Sequence, residues 1–152
     1  MNKVTIKKLL FWILAAMMSL SATTALAIDN PDAPDLVGAF NKRALILENA
    51  ANNPDNGSRE YLIAYDDYQT FLDDELNKAY KLLMSKLPKK RQTELKNSQR
   101  KWISYRDAEF LLINNNWTRQ NFGSSAVISR GTYRCSIIKN RVLQLLYYIK
   151  NY

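Results

Sequence analysis

Apolar residues recur every three or four positions in four stretches of this chain, the spacing of one face of an α-helix. The first stretch begins after Asp35 and ends near Ala51, where the polar segment 52–57 has strong turn chemistry. We therefore predict a first helix over 36–51 and expect it to pack loosely on the rest. Its inward stripe comprises Leu36, Phe40, Ala44, Leu47 and Ala51.

The second stretch, from Ser58 to Leu87, contains neither glycine nor proline and predicts one long helix. Ser58 is a suitable N-cap, Glu60 favours the first turn, and Pro88 ends this helix or opens the next. The predicted inward stripe is Leu62, Tyr65, Gln69, Leu72, Leu76, Ala79, Leu83 and Leu87. A more polar strip runs beside it through Asp73, Asn77 and Tyr80.

The third stretch, from about Lys89 to Asn114, places an arginine among large apolar side chains. Its stripe is Leu95, Gln99, Trp102, Arg106, Phe110 and Ile113. A guanidinium stays charged and is costly to bury unpaired, so we predict a bidentate contact between Arg106 and Asp73 on the preceding helix. Two alternatives remain for Arg106, which either sets the register of the two helices or faces a partner protein. Trp102 likewise lies either in the core or at a contact with a partner. Seven residues on these two helices are predicted to hold the helices in register, and we call them the structural pin: Asp73, Asn77, Tyr80, Gln99, Trp102, Tyr105 and Arg106.

A polar connection over 114–123 separates this helix from a last one, which Ser124 or Ser125 can cap and which runs to about Asn151. Its stripe is Gly131, Cys135, Ile138, Val142, Leu145 and Ile149. The small residues Gly131 and Cys135 would let a neighbouring helix approach closely. No segment shows sustained apolar alternation, so the predicted fold is all-α, a small antiparallel bundle of about four helices in a single domain over 36–152.

The N-terminal segment predicts a secretory signal peptide over 1–27. Lys3, Lys7 and Lys8 precede an apolar stretch, and a small-residue cleavage site ends at Ala27. The mature chain would begin at Ile28 with an extended leader over 28–35 and would be periplasmic. An uncleaved anchor is the alternative. No later stretch lacks charges for about 18 residues, so we expect no membrane span after cleavage.

Charge adds one surface feature to this picture. The chain has 22 basic and 14 acidic residues, and three of the basic ones lie in the signal peptide, which leaves an excess of five positive charges. A basic patch, opposed only by Glu94, consists of Lys86, Lys89, Lys90, Arg91, Lys96, Arg100 and Lys101. It is either a solvated helix start or a surface for anionic lipid or polysaccharide. Nucleic acid is not expected, because aromatic residues do not interleave with these charges.

Catalytic equipment is sparse. The chain has no histidine, which removes the usual general base, Ser-His and Cys-His pairs and most zinc chemistry, so we expect no enzyme activity, metal or cofactor. Cys135 is the only cysteine, and a buried, inert thiol is favoured over an intermolecular bridge or a nucleophile. A carboxylate-based hydrolase is the remaining enzymatic alternative. Its candidate acids would be Asp66, Asp67, Asp73, Asp74, Glu75, Asp107 and Glu109.

The spacing of several of these residues resembles the LprI-like lysozyme-inhibitor family of small exported helical domains. The matching residues are Asp73, Leu76, Asn77 and Tyr80, then Leu95, Gln99, Trp102, Tyr105, Arg106 and Asp107. Gly123-Ser124 and the spacing from Cys135 to Arg141 are also similar, so the resemblance covers about 59–149. Family members typically carry disulfides, whereas here Phe110 lies near the position of one family cysteine.

The resemblance implies a periplasmic protein that sterically inhibits a peptidoglycan-cleaving enzyme, either a lysozyme or the amidase toxin of a competitor. An excess of positive charge does not attract a basic lysozyme, which favours an amidase-type target and an immunity role. The connection 114–125 is the candidate projecting loop. Its anchors would be Trp117 and Phe122, unless these rings fold back into the core. The other candidate contacts are Arg119, Asn121, Ser124, Asp107 and Glu109.

Overall fold

The computed structural model describes residues 34–152, which form five helices and no strand. The helices are α1 (Leu36–Ala51), α2 (Ser58–Lys86), α3 (Lys89–Asn116), α4 (Arg119–Phe122) and α5 (Ser125–Lys150). This confirms the predicted all-α fold with four long helices and adds the short α4. The predicted signal peptide and most of the leader lie outside the described residues. None of the helices within 34–152 is long and apolar enough to cross a membrane.

The four long helices alternate in direction along the chain, and the central pair is α2 and α5, which run parallel. Near the start of both helices, the hydroxyls of Tyr65 and Thr132 are 2.9 Å apart. Near their ends, Leu83 and Tyr148 line the same cleft. Gly131 allows this close packing, because a Cβ at its position would overlap the Tyr65 ring. The expectation that Gly131 permits close approach of a neighbour is thereby confirmed.

The apolar core lies between these two helices and α1. Its largest fully buried side chains are Phe40, Leu72, Leu83, Ile138, Val142 and Leu145. The predicted stripe of α5 is buried from Cys135 to Ile149. At the start of α2 the prediction was wrong, because Leu62 is 59% exposed, whereas Tyr68 and Glu75 are buried. Since α1 and α5 both pack on α2, its buried face is wider than a single stripe.

The expectation that α1 packs loosely was also wrong. Phe40 and Ala44 are completely buried, and the Phe40 ring lies parallel to that of Phe71, with centroids 6.3 Å apart. Ion pairs add to this packing, from Arg43 to Glu75 and from Lys139 Nζ to Glu48 Oε2 at 2.7 Å. Helix α1 is short and has few buried residues, but both apolar contacts and ion pairs attach it to the rest of the bundle.

Helix ends follow local capping chemistry, with one difference from the prediction. Asp35 caps α1, its Oδ1 accepting from the Gly38 amide at 2.8 Å. At α2, Gly57 occupies the N-cap and Ser58 is already helical. The side chain of Gln92 joins the α2–α3 turn by donating to the Met84 and Leu87 carbonyls at 3.1 and 2.8 Å. These bonds satisfy two carbonyls that the end of a helix leaves without partners.

Candidate functional site

Helix α3 is attached to the bundle differently from the others, through arginines and aromatic rings. Only Leu95 and Ile113 are buried among its 28 residues. The other members of its predicted stripe, Gln99, Trp102, Arg106 and Phe110, are half-buried, so the stripe faces inward as expected. Three guanidiniums lie against the Trp102 and Phe110 rings at 5.3–5.9 Å from the ring centres. They belong to Arg106, Arg134 and Arg141, and cation–π attraction of this kind is worth about 0.5–2 kcal/mol.

Arg106 does meet Asp73, but the contact is longer than predicted. Its Nη1 lies 3.9 Å from Asp73 Oδ1, whereas its Nε and Nη2 donate to Oδ1 of Asp107 at 3.0 and 2.8 Å. The predicted contact with Asp73 is therefore present but is not bidentate, and Asp107, a candidate partner contact, is the nearer acceptor. Burial raises the pKa of Asp73, and Arg106 lowers it only in part. Whether this pair sets the helix register stays a prediction.

Arg141 joins α5 to α3 by two hydrogen bonds, whereas from the sequence it entered only the family-like spacing and no contact was predicted for it. It is 6% exposed, and its Nε and Nη2 donate to Gln99 Oε1 and Ser98 Oγ on α3 at 3.0 and 3.2 Å. Its Nη1 donates to Gln144 Oε1 at 2.6 Å. Burial lowers the pKa of Arg141. The available signal was an arginine directly beside the apolar stripe of α5.

The structure thus divides the predicted structural pin. Gln99 and Trp102 contact Arg141, and Arg106 joins Asp73. Tyr80 packs against the apolar core, whereas Asn77 and Tyr105 are exposed. The residues of the structural pin therefore do not form one cluster. Some of them contact Arg141, two form the Arg106–Asp73 pair, and the others lie against the core or at the surface.

The connection expected to project as a loop is compact. Helix α3 continues to Asn116, α4 follows, and Gly123 reverses the chain with a φ of 58° before α5 begins. Thr118 caps α4, its Oγ1 accepting from the Asn121 amide at 3.3 Å. The candidate loop over 114–125 is therefore largely helical, because local capping and a positive-φ glycine allow a helical turn here, and its role as a partner contact stays a prediction.

The two aromatic residues of this connection differ in their surroundings. The Trp117 ring lies 4.4 Å from the Tyr133 ring, centre to centre, and folds back on α5. Phe122 is 45% exposed. The remaining candidate contacts of the connection, Arg119, Asn121 and Ser124, are also exposed. Only the Trp117 part of this connection is therefore held in one place by a neighbouring ring.

Trp117 forms one end of a groove of about 500 Å³ between α3 and α5, which we call the aromatic groove. Its main lining residues are Tyr105, Glu109, Leu112, Ile113, Trp117 and Tyr133. Tyr105, Leu112 and Tyr133 are each about half exposed. Glu109, a candidate contact, lies in this groove, whereas Asp107 does not line it. The groove combines apolar area, tyrosine hydroxyls and one carboxylate, a composition suited to protein recognition.

The remaining candidate chemistry is structural. Cys135 is buried, as expected, and burial raises the pKa of its thiol to about 12, so little thiolate forms at neutral pH. Burial opposes the ionisation of Glu75, but hydrogen bonds from Lys78 and Arg43 outweigh it and lower the pKa of Glu75. This buried acid is therefore ion-paired and links α1 to α2.

Comparison with known proteins identifies the family of the chain. A sequence model described as "Lysozyme inhibitor LprI" matches residues 49–145, which include α2, α3, α4 and most of α5. No curated protein and no solved structure matches the chain significantly. The matched region contains the Asp73 to Asp107 pattern that carried the resemblance, and the family is named for inhibition rather than for turnover. Because the match covers more than half of the 152 residues, the chain belongs to the LprI lysozyme-inhibitor family.

Proposed function

We propose that this protein acts in the periplasm and blocks a peptidoglycan-cleaving enzyme by occupying its surface, with the aromatic groove as the contact. The observation that carries the proposal is this groove, half-exposed and aromatic, in a member of a lysozyme-inhibitor family. Tyrosine and tryptophan dominate the energetically important positions of protein interfaces. On rigid helices they lose little conformational entropy when a partner binds.

The groove also offers a mechanism without catalysis. An inhibitor has only to cover the cleft of its target, and two packed helices provide a surface that does not need to fold first. The charge balance of the chain favours an amidase-type toxin over a strongly basic lysozyme, and the protein would then confer immunity on the cell that makes it. Glu109 is the one acidic group of the groove and would face a basic group of the target.

Binding to captured enzymes tests the groove directly. The mature chain, 28–152, is used to capture hen-type lysozyme and a panel of peptidoglycan amidases, and wall lysis is measured with each enzyme captured. We expect Tyr105→Ala combined with Leu112→Ala to weaken binding by about thirtyfold or more, since truncating one anchoring tyrosine costs about 2 kcal/mol and about 1.4 kcal/mol corresponds to a tenfold change in affinity. The matched control is Tyr147→Ala with Leu111→Ala, which are as exposed but lie outside the groove. Equal affinities for the two double variants would overturn the groove as the contact.

A second candidate function rests on the basic patch. All seven of its basic side chains are exposed. Arg91 also lines a cleft of about 520 Å³ whose apolar walls include Leu87, Leu95 and Tyr148. An envelope-associated protein could hold anionic lipid or polysaccharide at such a surface.

Salt dependence distinguishes this second function from the first. Binding to vesicles that contain an anionic phospholipid should fall steeply with salt and be lost when Lys89, Lys90 and Arg91 are changed to glutamate. Inhibition through the aromatic groove should persist in the same variant. Salt-independent vesicle binding, or none, would exclude the envelope role.

A further inference from the structure

A second, smaller pocket lies between α2 and α5, beside the C-terminal end of α3, and has a volume of about 160 Å³. Its polar lining consists of Asp66 and Gln69 on α2, Asn114 on α3, and Arg130 and Arg134 on α5, and we call it the arginine pocket. Gly131, between the two arginines, lies against the Tyr65 ring, so the helices are close together here. The pocket has room for a small polar group.

The positive charge of the pocket is not balanced within the described part of the chain. Arg134 donates to the Asn114 amide oxygen, which is neutral, and its buried Nε has no hydrogen-bond partner there. Burial lowers the pKa of Arg134, and the charge of Arg130 lowers it further. Two like charges one helical turn apart destabilise a helix unless an anion lies between them.

Neighbouring acids do not remove this imbalance. Asp66 is the one carboxylate in the lining, and no ion pair joins it to either arginine among residues 34–152. Arg106, by contrast, has both Asp73 and Asp107 as partners. A buried N–H donor without an acceptor destabilises the folded state, and an incoming acceptor would remove that cost.

We propose that the arginine pocket binds one forked oxyanion, a carboxylate or phosphate group, between Arg130 and Arg134. Guanidinium groups pair with such anions in a bidentate manner. The exposed Leu62 lines the pocket and would contact apolar residues around an acidic side chain of a protein. An acidic side chain of the target enzyme as the anion rests on the proposed inhibitor function, whereas the binding of a free anion does not depend on that function.

Thermal unfolding of the mature chain tests the site without any partner. Inorganic phosphate and acetate are titrated against sodium chloride at matched ionic strength. We expect a saturable rise in Tm with at least one of the two anions, because binding to the folded state alone stabilises it. Arg130→Gln should abolish the rise, Arg130→Lys should weaken it, and Arg100→Gln, an exposed arginine on α3, should leave it unchanged.

The captured enzyme distinguishes the two sources. If the anion is an acidic side chain of the enzyme, Arg130→Gln weakens enzyme binding by about tenfold and phosphate competes with the enzyme. If phosphate binds but enzyme affinity is unchanged, the site serves a free anion, and the groove proposal stands or falls on its own variants. Two results together would overturn anion binding in the arginine pocket. The anions would cause no saturable rise in Tm, or the same rise in Arg130→Gln as in Arg100→Gln, and Arg130→Gln would leave the affinity for the enzyme unchanged.

Discussion

The two faces of α5 hold their neighbours by different forces. Against α2 and α1 the contact is mainly apolar, with Leu72, Ile138 and Val142 completely buried, and polar contacts such as the Lys139–Glu48 ion pair are added to it. Against α3 it consists largely of hydrogen bonds and of guanidiniums over aromatic rings, with Arg141 at its centre. Hydrophobic burial is proportional to area and is not screened by salt, whereas partly exposed charged contacts are screened. We conclude that α1, α2 and α5 supply most of the stability, while α3 leaves most of its surface exposed.

We expect the largest loss of stability when the apolar contact between α2 and α5 is disrupted. Leu72→Ala removes a completely buried side chain and leaves a cavity between α2 and α5. We expect the free energy of unfolding to fall by about 2–5 kcal/mol. Urea denaturation measures this, with Leu111→Ala on the exposed face of α3 as the control. A loss below about 1 kcal/mol would mean that this interface is not the main source of stability.

We expect a smaller and more local loss of stability when the polar contact between α5 and α3 is disrupted. Arg141→Met keeps the bulk of the side chain but removes its bonds to Gln99 and Ser98. We expect a loss of about 1–3 kcal/mol, since hydrogen bonds from charged groups contribute about that much. Hydrogen exchange followed by mass spectrometry should show faster exchange in α3 than in α2. Uniform acceleration in both helices would contradict the view that α3 is attached separately.

The smallest effect concerns Asp73. Burial raises its pKa above the ordinary value of 3.8, so the folded state favours the protonated acid, and stability from this group is present at low pH and is lost as pH rises through the folded-state pKa. Asp73→Asn should therefore change stability at neutral pH by less than about 0.5 kcal/mol, in keeping with a long, partly exposed pair. Urea denaturation at several pH values tests this. A large loss at neutral pH would restore Asp73 as the residue that sets the register of α3.

Periodicity predicted the helices well because it depends on the same burial that forms them. The stripes of α1 and α5 are inward-facing as expected, and the stripe of α3 holds its least exposed side chains. The prediction was wrong at Leu62, where neighbouring helices decide burial, and it did not include α4, where local capping decides the conformation. Arg141 was missed because an arginine beside an apolar stripe does not reveal whether its guanidinium reaches solvent or a facing helix.

The sequence by itself determined the four long helices, the all-α class, the sparse catalytic equipment and the resemblance to a lysozyme-inhibitor family, because spacing and residue type are local properties. Only the tertiary structure decided that α2 and α5 run parallel at the centre and that Arg106 bonds more closely to Asp107 than to Asp73. It alone brought Tyr105, Trp117 and Tyr133 into one groove. Most of these contacts join residues far apart in the chain, and which of several chemically equivalent partners an arginine such as Arg106 meets depends on how the helices pack.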